Sequence, residues 1–365
     1  MNNTAKRIAV TASLSCVLFA GLSLTSSVTY AQKTGGTWTD PNDESLPDDF
    51  KVQGEYVGKV LEGDKLGCQV IALGEGAFQA VVFPGGLPGA GWDGKHKILM
   101  DGRLEKGQAV FKPAEGKKRY LAQSADEFSA TSQFPPAGQK VYTATISGSI
   151  LAGTTDDGKA FKLTKTVRKS PTIGKKPPKG AVVLFGGSDI AEWTGGRLDV
   201  SNSILNTDGR DILTKRKFSN YTMHVEFMLP YRPDARGQGR GNSGFYQVDH
   251  YEVQVLDSFG LDGKNNECGG IYSKAETLVN MCLPPLAWQT YDVEFTNAVA
   301  DESGKKLKNA VITLRLNGVI VHDKLEITGK TGGSRNAPEG TPGPIKLQGH
   351  GNPLQYRNIW IVEKK

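Results

Sequence analysis

The chain has 365 residues and a formal net charge of +6, with 44 Lys and Arg against 38 Asp and Glu spread over both halves. So modest a balance does not imply a nucleic-acid partner. Beyond the N-terminal segment no run of about 20 apolar residues could span a bilayer.

Residues 1–31, "MNNTAKRIAVTASLSCVLFAGLSLTSSVTYA", read as a secretory signal peptide. They have a basic start at Lys6 and Arg7, an apolar stretch and small residues before Gln32, so cleavage is expected near Ala31. A lipoprotein anchor at Cys16 is disfavoured, because Ser13 stands where a large aliphatic residue is usual and most of the apolar stretch follows the cysteine. Export to the periplasm or the medium is the expected localisation. Loss of Lys6 and Arg7 lowers the formal charge from +6 to +4.

Residues 32–49 are polar and turn-rich, and are expected to form a flexible lead-in. From 50 to 165 short β-favouring runs alternate with glycine-containing turns, which predicts a small all-β domain. Its one conspicuous loop, "PGGLPGAGWDG", is either a tight turn with Trp92 packed across it or a place for a sugar ring. Lysine, proline and glycine dominate 166–180, the pattern of an exposed linker. Residues 181–365 again lack long helical periodicity. Many strands in that span imply a two-sheet jelly-roll sandwich, and "RLNGVIV" marks a two-residue hairpin at Asn317 and Gly318.

Three cysteines follow the signal segment. In an oxidising compartment Cys268 and Cys282 form a candidate disulfide, leaving Cys68 as a buried thiol. The histidines show no zinc-ligand spacing and no C-x-x-C pair occurs.

The most informative stretch is "YEVQVLDSFG" at 251–260. In an extended chain Tyr251, Val253 and Val255 face one way, while Glu252 and Gln254 face the other. Asp257 falls on the valine side unless a bulge intervenes. Upstream, "GRGNSGFYQV" offers Arg240 and Asn242 as donors and places Tyr246 on the next strand; downstream, "LQGHGN" sets His350 between glycines beside Gln348.

The order "LFGGSDIAEW", "GRGNSGFYQV", "YEVQVLDSFG", "ECGGIY", "WQTYDVEFT", "RLNGVIVHD", "GPIKLQGHGNPLQYRNIWI" resembles the 3-keto-disaccharide hydrolase domain family over the whole second domain. The extra N-terminal β-domain and the long loop after Asp257 look like an exported subgroup from environmental bacteria. The resemblance implies an all-β chain, with a C-terminal concanavalin-like jelly roll of laminarinase-like architecture after a small all-β domain. It also implies cleavage of 3-keto-glycosides by C2 deprotonation and elimination, followed by hydration. On that reading Glu252, His350 and Asp257 are the catalytic candidates, and Arg240, Asn242, Tyr246, Gln254, Tyr272 and Gln348 the substrate-binding ones. Gly349 departs from the acidic residue common at that position in the family. No cofactor is expected. The architecture can hold a divalent cation through Asp257, Glu267 or loop carbonyls, but no signature assigns one, and the metal stays unknown. The partners expected are a glycoside substrate and a separate sugar 3-dehydrogenase acting upstream, with no nucleic acid and no membrane span. The alternative reading is a non-catalytic carbohydrate-binding protein that uses the same groove.

Overall fold

Alternation of apolar and polar residues between glycine turns builds strands almost everywhere in the computed structural model, which describes residues 36–364. The signal peptide expected at 1–31 lies outside the described residues. Among these, no helix is long and apolar enough to cross a membrane.

The first eight long strands are Gly54–Val60, Lys65–Gly74, Ala77–Pro84, Ile98–Glu105, Gln108–Pro113, Thr143–Ser147, Ile150–Thr154 and Ala160–Thr166. Each pairs antiparallel with the next, and the last closes on the first, giving an up-and-down barrel. Side chains such as Tyr56, Cys68, Val70, Phe78, Met100, Phe111 and Leu163 fill it. Cys68 is the buried free thiol expected. The helix Asp48–Val52 brings Phe50 and Val52 onto that core at one end, joined by Trp38 and Tyr231. Residues 36–49, expected to be flexible, are fixed instead. Trp38 exchanges two backbone hydrogen bonds with Tyr231, and their rings meet at 5.6 Å. Trp92 takes the packed alternative: its ring meets Phe83 at 5.2 Å and its indole N–H donates to the His96 carbonyl at 2.7 Å.

The second half is a concanavalin-like two-sheet sandwich. Its eight-stranded sheet contains Tyr221–Met228, Trp288–Thr296, Ala310–Leu316, Val319–Ile327 and Gln355–Glu363; the five-stranded sheet runs Trp193–Thr194, Ile212–Thr214, Lys346–Leu347, Ser243–Gln247, Tyr251–Val255. Phe245, Tyr251, Val253 and Val255 meet Phe227, Tyr291 and Phe295 between the sheets, as alternation predicts. Asn317 and Gly318 both take positive φ, 52° and 83°, and make the predicted hairpin.

Barrel and sandwich pack directly. Lys97 binds Asp262 at 2.7 Å, and Arg236 donates to the Leu73 carbonyl at 2.7 Å. The segment expected as an exposed linker is docked over its first part. Arg168 pairs with Glu55, Ser170 bonds Thr290 at 2.6 Å, and Thr172 donates to Asp292 at 2.7 Å, beside the fully buried His224. Only 174–180 are exposed throughout.

Candidate active site

Three neighbouring strands of the five-stranded sheet place Glu252, Tyr246 and Lys346 in one cross-strand row, on the face turned away from the core. In the next row Gln254 pairs with Gly244, and Gln348 donates its backbone N–H to the Gly244 carbonyl. Glycine is needed there. A Cβ at 244 would lie 2.5 Å from Glu252 Oε1 and 2.7 Å from Tyr246 Cε2, so the missing side chain is the space into which the carboxyl leans.

Glu252 is only 4% exposed. Burial pushes its carboxyl up to about 7; the Tyr246 hydroxyl and the Lys346 charge pull it back down, and Asp211 adds to the rise. The hydrogen bonds point the same way. Tyr246 Oη lies 2.8 Å from Glu252 Oε2 and 2.8 Å from the Gly332 carbonyl, two acceptors for one phenolic proton. Both contacts are satisfied when Glu252 carries a proton and donates to the phenol, which then donates to Gly332. Gln348 Nε2 donates to the same phenol at 3.4 Å.

Lys346 holds its ammonium 3.9 Å from the Tyr246 ring centroid, 2.7 Å from Asp249 Oδ1 and 2.6 Å from the Gly333 carbonyl. The hairpin turn supplies Asp249. Val248 and Asp249 both sit at positive φ, 47° and 54°, a costly conformation for a β-branched valine, and Arg335 Nε ties down the Val248 carbonyl at 3.1 Å. Asn242 Oδ1 accepts from Gln254 Nε2 at 2.8 Å. That leaves Gln254 Oε1 buried with no hydrogen-bond partner among the described residues, an acceptor available to a ligand hydroxyl. Tyr272 is half-buried; its backbone N–H donates to the Glu252 carbonyl at 3.1 Å, and its ring borders Gly332. The segment Thr331–Gly333 thus lies against the row, with Thr331 Oγ1 accepting from the Glu252 N–H at 2.9 Å. A cavity of about 530 Å³ lies on the eight-stranded sheet and one of about 510 Å³ at a barrel mouth; Glu252 lines neither.

Several expected site residues have other duties. Asp257 and Arg240 are 3% and 5% exposed and pair with each other at 2.6 Å, while Arg240 also donates to the barrel carbonyl of Ala72 at 3.0 Å. Neither lies in the Glu252 row; the pair joins the sandwich to the barrel. His350 is exposed, and its ring makes no hydrogen bond to a described residue; only its carbonyl is used, by Asn352 at 3.2 Å. The ladder ends at Leu347, so the chain leaves the sheet before reaching His350. Gly349 is pressed against the Arg210 backbone, where no side chain fits, and its N–H donates to Asp211 at 3.0 Å. Cys268 and Cys282 are brought together but are unbridged free thiols; Cys268 contacts the Tyr291 hydroxyl at 3.2 Å. Glu267, named above with Asp257 for a divalent cation, is buried, accepting from Tyr120 and from the Gly263 and Lys264 amides. No group of three or more His, Cys, Asp or Glu side chains fit to hold a metal is present among the described residues.

Sequence reading missed Lys346 and Asp249. A signal for Lys346 was available: in "IKLQ" it shares strand parity with Gln348. Asp249 carried none.

A family model described as the 3-keto-alpha-glucoside-1,2-lyase-like domain matches residues 180–362. Crystal structures of two candidate glycosyl hydrolases from Parabacteroides distasonis ATCC 8503 are similar to the chain. One is 30% identical with a TM-score of 0.46, covering 51% of this chain and 85% of its own. The other is 18% identical with a TM-score of 0.38, covering 51% and 95%. No curated protein matches.

Proposed function

The chain belongs to the 3-keto-alpha-glucoside-1,2-lyase-like domain family, and from that premise we propose that it cleaves 3-keto-glycosides by elimination, with Glu252 as the proton-transfer group. The observation that carries this reading is a buried carboxyl poised at about 7 and hydrogen-bonded at 2.8 Å to Tyr246.

A ketone at C3 acidifies the C2 proton. Ionised Glu252 takes that proton, and the C–H electron pair forms the enolate of C2 and C3. The enolate collapses, restoring the ketone, forming the C1–C2 double bond and expelling the glycosidic oxygen. That oxygen takes its proton from the Glu252 and Tyr246 pair, and water then adds across the double bond. Lys346 is the cation assigned to the enolate oxygen, and Gln254 Oε1 accepts a substrate hydroxyl. Thr331–Gly333 has to yield for a sugar to reach Glu252. The C3 ketone implies a sugar dehydrogenase upstream, and the signal segment at 1–31 implies export.

The test follows leaving-group release from a 3-keto-glycoside and from its unoxidised counterpart, with the wild type and Glu252→Gln. Release from the keto form alone, lost in the variant, is expected. Binding without release in the wild type would make this a carbohydrate-binding protein instead.

A further inference from the structure

Between the strands Val319–Ile327 and Lys346–Leu347 runs a connection, 328–345, that forms no helix or strand of its own. Connections this long in a compact domain are mostly functional, lids among them. Its sequence, "TGKTGGSRNAPEGTPGPI", is rich in glycine and proline, and between Ile327 and Ile345 no apolar side chain is buried. Polar contacts hold it down. The Thr331 N–H donates to the His250 carbonyl and the Arg335 N–H to the Asp249 carbonyl, both at 3.0 Å, and the Tyr251 hydroxyl donates to Glu339 at 2.8 Å. A segment with no core of its own opens without unfolding the rest.

Two of its carbonyls stand where the proposed reaction needs substrate. Gly332 accepts from Tyr246 at 2.8 Å and Gly333 from Lys346 at 2.6 Å. Those are the donors assigned above to the glycosidic oxygen and the enolate oxygen. Beneath the same segment lies His250, 0% exposed, with neither ring nitrogen hydrogen-bonded among the described residues. Lys330, Arg335, Glu339 and the Ala337 backbone face it from the connection, and Tyr251 meets it edge-on at 5.8 Å. Glu339 is engaged by Tyr251 and, at 3.3 Å, by Lys306; Asp249, next in the chain, is held by Lys346. Two cations thus face the ring, and both nearby carboxylates are already taken.

We propose that 328–345 is an autoinhibitory lid whose Gly332 and Gly333 carbonyls hold the places of two substrate oxygens, and that a proton on His250 releases it. The first half rests on the Glu252 reading; the second does not. Burial, then Arg335 and Lys330, push the imidazole down to about 4, against an ordinary 6.5 once the lid lifts and water reaches the ring. The closed lid is therefore at full strength above 6.5 and weakens as pH falls from there towards 4. From pH 8 to pH 5 the open-to-closed ratio rises about 30-fold. Glu252, raised to about 7, acts the other way, because its ionised form competes with Gly332 for the Tyr246 proton.

The test is hydrogen exchange of the Thr331 and Arg335 amides at pH 5 and pH 8, corrected for intrinsic rates, in Glu252→Gln so that this carboxyl does not titrate. Protection about 30-fold lower at pH 5 is expected, with the strand Gln355–Glu363 unchanged. Adding His250→Phe, which keeps a ring and cannot be protonated, should leave protection alike at both pH values; His250→Leu repeats the comparison with a smaller side chain. A 3-keto-glycoside added at pH 8 should expose the same two amides, because its oxygens compete with Gly332 and Gly333 for the same donors. A pH response that survives in both His250 variants, or none in their parent, would overturn the release by His250. Glycoside binding, seen by calorimetry, that leaves the two amides equally or better protected would overturn the plug. No glycoside binding would overturn the Glu252 reading and the plug with it. None of these readouts needs turnover, so failure of the elimination chemistry is told apart from failure of the lid.

Discussion

Lys346 lies over the face of Tyr246, its ammonium 3.9 Å from the ring centroid, while Asp249 anchors the same ammonium at 2.7 Å. The cation is therefore held by the residue that hydrogen-bonds Glu252, and the three titratable groups of the row act on one another. The positive charge favours the ionised form of Glu252, opposing the burial that favours the neutral one.

Lys346→Met removes that charge while keeping most of the stem. Glu252 should then titrate above its present value of about 7, moving the acidic limb of the pH–rate profile to higher pH. With the enolate oxygen unsupported, kcat should fall by about 100-fold or more. Rate profiles on a 3-keto-glycoside from pH 5 to 9 check both effects. An unmoved limb would remove Lys346 from the site.

Glu252→Gln has a stability signature independent of turnover. The carboxyl is raised from 4.5 to about 7 on folding, so between those values the folded chain keeps a proton that the unfolded chain releases. Its contribution is fully present below 4.5 and is lost as pH rises through 7, leaving the wild type about 3 kcal/mol less stable at pH 8 than at pH 4 from this group alone. The variant cannot ionise and should lack that decline. Urea unfolding of both proteins at pH 5 and pH 8 makes the comparison.

Gly244→Ala should cost activity before it costs the fold. The new methyl meets Glu252 Oε1 and Tyr246 Cε2, displacing side chains that the proposed reaction needs in register. A rate loss of about tenfold to 100-fold is expected for displacement on the order of 1 Å. Kinetics beside a melting curve separate the two effects.

Asp257→Asn tests the reassignment of that carboxylate. Arg240 would keep a buried charge without its partner, costing about 3–5 kcal/mol of stability. Protein that remains folded should retain its kcat within about twofold, which active-site titration of the soluble fraction can measure. A large fall in kcat at unchanged stability would return Asp257 to the catalytic set.

Local pattern carried far into this molecule where one residue's conformation decides its neighbour's direction. Tyr251, Val253 and Val255 had to oppose Glu252 and Gln254 whatever the strand packed against, and Asn317 with Gly318 had to turn. Parity also warned that Asp257 faced the wrong way. It did not tell that the face opposite the valines would itself be buried, with Thr331–Gly333 laid against Glu252, because burial depends on a loop nearly 80 residues downstream.

The alternation of side chains along each strand was therefore written in the sequence by itself, and with it the two sheets, the hairpin and the candidacy of Glu252, since strand periodicity is a property of consecutive residues. Which strands lie side by side was not. Only the tertiary structure set Lys346 beside Tyr246 and the hairpin that carries Glu252, from a segment about 100 residues away. It also turned Arg240 toward Asp257 and the barrel carbonyl of Ala72, and left His350 outside the ladder. Those outcomes follow from register and domain packing, where the energy of a contact depends on what the rest of the chain brings to meet it.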